Sequence, residues 1–143
     1  MFMDGEFLVG AFISILTIAV QALATILVVR AARIAARRLS PRRKIETLII
    51  VMAMSGVLLT LGHFIEVAIW AELYNLLGVI ARKDVYYLAF VNFTTLGYGD
   101  ILPAHEWRLL GPITAANGML LFGWSTAVLY AVLARALRIL RLE

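Results

Sequence analysis

Three apolar stretches, residues 7–29, 47–70 or a little beyond, and 109–133, constrain this chain more than anything else in it. A hydrocarbon core of about 30 Å takes ~20 helical residues to cross, and each stretch is that long. Backbone groups in lipid must find partners inside their own segment, so each stretch reads as an α-helix. The expectation is an all-α membrane protein with three transmembrane helices. Hydrophobic residues make up 63% of the 143, well above the roughly 45–50% of soluble domains. Residues 7–29 follow Asp4 and Glu6 instead of a basic region, and they outrun the roughly 7–15 apolar residues of a signal-peptide core. They read as a retained helix.

Charge then sets a topology. The pI is near 9.9, but the basic residues do not form a dispersed face with interleaved aromatics, so nucleic acid is not an expected partner. Seven of the thirteen are Arg30, Arg33, Arg37, Arg38, Arg42, Arg43 and Lys44, and three more are Arg135, Arg138 and Arg141. Cations of short loops favour the cytoplasmic side, which puts the N-terminus outside, the C-terminus inside, and the protein in the cell inner (plasma) membrane as a multi-pass chain. The arginines follow the first apolar run and do not lie within it, so they do not read as a voltage sensor. Topology and attraction to anionic lipids at the basic loop account for them, at ~1 kcal/mol per charge. Ser40-Pro41 breaks the helix before the second stretch, since proline lacks the donor its turn needs. With no cysteine in the chain, disulfides, thiolate metal sites and thiol nucleophiles are excluded.

Between the second and third stretches there is too little chain to cross the membrane twice as helices, and a re-entrant loop fits. Asp84 is placed to cap a helix of about a dozen residues that begins at Val85 and carries Tyr86, Tyr87, Phe90 and Phe93. It leads into Thr94-Thr95-Leu96-Gly97-Tyr98-Gly99-Asp100, with Pro103 beyond. Glycine enters positive-φ regions that side chains forbid, so Gly97 and Gly99 let an extended chain turn successive carbonyls one way. A row of such oxygens can replace a cation's water at small cost. Leu96 and Tyr98 are expected to point away from the row and pack against the short helix, and the Thr95 hydroxyl to add an innermost ligand.

With that motif in its setting, residues from about His63 to Leu133 resemble the outer helix, pore helix, filter and inner helix of the tetrameric potassium-channel superfamily. His63-Phe64-Ile65-Glu66, Trp70-Ala71 and Gly118-Met119-Leu120-Leu121-Phe122-Gly123-Trp124-Ser125 are similar to small bacterial ion-channel proteins of the two-helix pore type. The resemblance implies a homotetramer that passes potassium ions through a filter of Thr95, Leu96, Gly97, Tyr98 and Gly99, with potassium in the filter and no other cofactor. An intramembrane enzyme is not expected, since the sequence offers no credible nucleophile, metal cluster or acid–base pair. It divides the chain into residues 1–45, an N-terminal transmembrane helix and basic loop; 46–135, the pore domain; and 136–143, a short basic tail. The sequence departs from the family at Leu96, where valine is usual, and at Val91, where some members pair a glutamate with the aspartate after the filter. Leu96 keeps its carbonyl and changes only packing volume. Inactivation relying on a Val91-position glutamate is not expected.

Other residues carry paired readings. Gly118 is a candidate hinge or a close-packing site. Met119, Phe122, Thr126 and Tyr130 share a face of the third helix and are candidates for the inner cavity, with Phe122 or Tyr130 as a constriction. His63 and Glu66 lie one turn apart and form either a proton-sensing pair or, the favoured reading, an inter-helix strut. Asp100, with Asp84 and Glu106, is a candidate ring of carboxylates at the outer mouth, where His105 reads either as a residue that tunes the entrance or as an ordinary surface histidine. Asn117 reads as polar glue between helices. A zinc site from His63, Glu66 and His105 lacks the spacing that two histidines and a glutamate on one helix need. The competing function is a membrane-embedded regulatory or structural subunit of the same fold whose loop does not conduct, or selects only weakly.

Overall fold

A computed structural model describes residues 2–38 and 44–140. Ser40-Pro41, Arg42, Arg43 and Arg141 lie outside the described residues, as do the side chains of residues 2–4 and 36–38. The elements are α1 (Phe2–Arg38), α2 (Lys44–Leu76), α3 (Val85–Phe93) and α4 (Leu110–Leu140), with single 3-10 turns at Arg82–Asp84 and His105–Trp107. Among the described residues there is no β-sheet; residues 94–100, the short strand of chain that follows α3, pair into none. Among the described residues three segments are long and apolar enough to cross a membrane as helices: Gly5–Ala35, Lys44–Leu76 and His105–Leu140. Nine residues make α3, about 13 Å at 1.5 Å per residue, far short of a crossing.

Helix α2 runs past the expected end near Trp70 because Trp70, Ala71, Leu73 and Tyr74 go on burying side chains. It stops where Gly78 takes φ +62°. Val79 N–H donates to Tyr74 O (3.0 Å) and Gly78 N–H to Asn75 O (3.3 Å), the paired bonds that close a helix around a left-handed glycine. At the start of α3 the expectation for Asp84 fails. Its side chain makes no capping bond, and its backbone sits at φ −106°, ψ −5°. The preceding 3-10 turn already holds Asp84 near helical dihedrals, whereas a capping side chain needs the extended backbone that presents its oxygen to the next amides.

The chain forms two compact units, each drawing on several helices. The first comprises Met1–Val20 and Phe64–Phe122, the second Gln21–His63 and Gly123–Glu143. In the first unit Trp70, Tyr74, Phe93, Leu110 and Leu121 are fully buried. A directed chain of hydrogen bonds runs through this core. Asn92 Nδ2 donates to Tyr74 Oη (3.1 Å), Tyr74 Oη meets Thr114 Oγ1 (2.6 Å), and Thr114 Oγ1 donates to Leu110 O (2.7 Å). Only one direction satisfies all three links, so the tyrosine donates to the threonine. These bonds fasten α3 to both α2 and α4.

Helix α1 joins the same unit through polar contacts. Asn117 Oδ1 accepts from Thr17 Oγ1 (2.9 Å) and Trp70 Nε1 (3.0 Å). Buried Glu6 accepts from Leu109 N–H (3.1 Å) with Oε2, which brings a carboxylate to the amino end of α4, where the helix dipole favours it. Gly10 lets α1 approach closely, since a Cβ there would lie 2.9 Å from Ile113 Cγ2. In the second unit Val28, Ala32, Val51, Leu59, Val128, Val132 and Ala136 form the core. Gln21 Nε2 donates to Ser125 Oγ (2.7 Å), which lies 2.9 Å from His63 Nε2. Buried polar groups need such partners in an apolar medium. The remaining faces expose Leu8, Phe12, Leu23, Ile49 and Ile65, a surface suited to lipid.

Candidate functional site

The segment after α3 takes its shape from backbone bonds at the end of that helix. Thr94 N–H donates to Phe90 O (2.9 Å) and Thr95 N–H to Asn92 O (3.0 Å). Leu96 N–H (2.9 Å) and Gly97 N–H (3.4 Å) both turn back to the single carbonyl of Val91. Positive φ occurs at Thr95 (60°), Gly97 (59°) and Gly99 (73°), and not at Leu96 or Tyr98. In an ordinary strand carbonyls alternate sides. Mirror-image dihedrals at every second residue turn every second peptide over, which is the condition for carbonyls to line one side.

The glycines at 97 and 99 carry this alternation without steric cost. Thr95 does not: a β-branched residue in the left-handed region is a genuine outlier, and strain of this kind persists where surrounding structure enforces it. The Val91 carbonyl, holding the two amides that follow Thr95, is the enforcing contact. Sequence reasoning assigned the left-handed backbone to the glycines alone and gave Thr95 a hydroxyl ligand's role, because a residue with a Cβ is not expected at positive φ.

Every residue from Thr94 to Asp100 is exposed. Leu96 and Tyr98 are 52% and 69% exposed, so the packing against α3 expected of them is not made within the chain. Behind Thr95 and Gly97 lies an open pocket shared with Leu102, Pro103 and the start of α4 at Gly111, Pro112 and Ala115. Side chains tie both ends of residues 94–100 to α3: Thr94 Oγ1 donates to Phe90 O at 2.7 Å, and Tyr87 Oη donates to Asp100 Oδ2 at 2.6 Å. That hydrogen bond to a carboxylate raises the Tyr87 hydroxyl above its ordinary value, with desolvation and the charges of Asp100 and Tyr98 acting in the same direction. Asp100 thus finds its partner one helical turn before Val91, at a tyrosine that the sequence placed on the helix without pairing it with Asp100. Beyond the strand, Ala104 N–H donates to Val79 O (3.0 Å) and ties the returning loop to the turn that ends α2.

Residues 58–135 match the family model described as ion channel. The chain belongs to that ion-channel family. The match spans more than half of its length and includes α2 from Leu58 onward, α3, the strand and most of α4. Together with three apolar helices it makes the protein a small channel of the two-transmembrane, potassium-channel-like type. No curated protein and no solved structure matches the chain.

In this channel, α4 meets the end of α3 at Gly118, where any Cβ would collide with the Phe93 carbonyl. That is the close-packing role weighed for this glycine. Met119, Phe122, Thr126 and Tyr130 are all exposed along α4, and the Phe122 ring meets Phe93 edge-on at 5.5 Å. His63 faces Ser125 across helices (2.9 Å), while Glu66 is fully buried. His105 and Glu106 are exposed on their 3-10 turn. Among the described residues no three His, Asp or Glu side chains come close enough to hold a metal.

Proposed function

We propose that this channel conducts potassium ions passively and selectively through a homotetramer in which four copies of Thr95, Leu96, Gly97, Tyr98 and Gly99 surround one axis. The alternating positive φ at Thr95, Gly97 and Gly99 carries the reading. It is the backbone condition for a ring of carbonyls that stands in for an ion's hydration shell, with filter-bound potassium as the only cofactor. Exposure of residues 94–100 supports assembly, since a strand in a membrane protein needs other copies to enclose it. Asp100 then rings the outer mouth, and Met119, Phe122, Thr126 and Tyr130 line the route below the filter, narrowed at Phe122 or Tyr130. Gly118 serves as a packing contact for the pore helix more than as a hinge, and His63 as a strut. In the cell the basic segments face the cytoplasm, and anionic lipids gather at the loop between α1 and α2.

The test is flux in liposomes holding the purified full-length protein. A potassium gradient drives barium-sensitive flux, and a sodium gradient drives little. Equal sodium and potassium flux would overturn the selectivity, and silence would favour a non-conducting subunit. Phe122→Ala and Tyr130→Ala, measured as single-channel open probability, locate the constriction. If neither changes it, the constriction lies elsewhere.

A further inference from the structure

In the second unit a crevice of about 390 Å³ opens among α1, α2 and α4. Three arginines line it: Arg33 from α1, and Arg135 and Arg138 from α4. Among the described residues no acidic side chain does so. The floor is apolar and built largely from small side chains, with Ala32, Val51 and Ala134 among them. Arg33 and Arg138 stand close to the ends of the membrane-length segments Gly5–Ala35 and His105–Leu140, the depth at which lipid headgroups lie.

Topology alone asks only that cations collect at one end of the helices. It does not ask that arginines from two helices line a single hollow together with small apolar side chains. We propose that this crevice binds one anionic phospholipid, its phosphoryl group held by Arg33, Arg135 and Arg138 and the start of an acyl chain laid on the floor. Guanidinium is suited to this because its fork matches phosphate oxygens two at a time. Free phosphate would satisfy the arginines but gain nothing from Ala32, Val51 and Ala134, so the floor selects the lipid over the ion. The volume is within the range of specific small-molecule sites. Because Arg33 belongs to α1, outside the matched channel segment, the bound lipid would link the first helix to the end of α4. The site does not depend on which cation the filter selects.

Native mass spectrometry of the full-length protein in detergent tests this with phosphatidylglycerol and phosphatidylcholine as probes. Wild type retains phosphatidylglycerol in preference. The double variant R135Q/R138Q lowers that retention by roughly twentyfold or more, on about fivefold per lost charge. R82Q/K83Q, which removes the same charge from another segment, leaves it within twofold, about the scatter of single-site effects. Ala134→Leu keeps every charge but narrows the floor, and it lowers retention severalfold; it decides the matter if the arginine variant does not assemble. Inorganic phosphate at millimolar concentration does not displace the lipid. Equal losses from the two double variants, no effect of Ala134→Leu, or displacement by phosphate would each overturn the proposal, the last in favour of a free-anion site.

Discussion

Helix α3 carries Val85, Leu88, Ala89, Val91 and Phe93 into the core of its own chain, whereas residues 94–100, which follow it directly, are exposed throughout. The helix is fixed by side chains: apolar burial, the Asn92–Tyr74–Thr114 relay, and the close contact at Gly118. The strand is fixed mainly by its backbone, through three left-handed residues and the shared Val91 carbonyl, with the Thr94 Oγ1–Phe90 O bond and the Tyr87–Asp100 clasp added. One chain is therefore sufficient to hold the pore helix in place, and insufficient to enclose the strand. In the proposed tetramer the missing walls are the other three copies.

The sharpest way to break this contrast is at the strand. Gly97→Ala puts a Cβ on a residue at φ +59°, at roughly 1–2 kcal/mol in each copy. Potassium flux is expected to fall to background while the helical circular dichroism of the protein stays unchanged. Wild-type flux in Gly97→Ala would mean that the alternation is not what conducts.

Gly118→Ala attacks the scaffold instead. The new methyl meets the Phe93 backbone, and overpacking of this sort costs about 1–3 kcal/mol. Here the melting temperature in detergent falls together with flux, in contrast to Gly97→Ala. Tyr74→Phe is milder: losing the hydroxyl between Asn92 and Thr114 costs about 1–2 kcal/mol. It shows as a lower melting temperature with ion selectivity preserved. A change in selectivity without loss of stability would mean the relay shapes the filter directly.

Tyr87→Phe is the smallest change and the one that refines the comparison. The clasp raises the Tyr87 pKa above its ordinary value near 10, so the protonated form is the one the fold favours. Its contribution is intact below that ordinary value and is lost as pH rises through the higher folded one. Wild-type flux is therefore insensitive to this group from pH 6 to 9 and declines above about pH 10. Tyr87→Phe lacks that alkaline step, with little change in melting temperature; an identical step in both proteins would assign it to another group.

The parts legible in the sequence were those carried by local pattern. Three apolar runs announced three helices, and Gly97-Tyr98-Gly99 announced a backbone that side chains could not follow. What escaped was pairing across helices. Thr17 and Asn117 are 100 residues apart, and Gln21 and Ser125 are 104 apart. In a soluble helix a polar face opposite an apolar one reveals which side meets the core. In a membrane helix both the lipid side and the protein side are apolar, so that stripe is absent and only isolated polar residues hint at the interface. Thr17 and Gln21 in the first run were such hints. Tyr87 was illegible for another reason: its partner Asp100 is reached only after the strand doubles back.

The bond between Glu6 and the amide of Leu109, with those of Thr17 and Gln21, has a consequence for how the channel is made. Helix α1 leaves the ribosome before α4, carrying a carboxyl, a hydroxyl and a carboxamide whose partners lie on α4 or just before it. Until α4 inserts, these groups wait in the bilayer without the partners they will have in the finished fold. A chain halted after α2 would therefore keep them there, a feature by which quality control can distinguish an unfinished subunit from one ready to assemble.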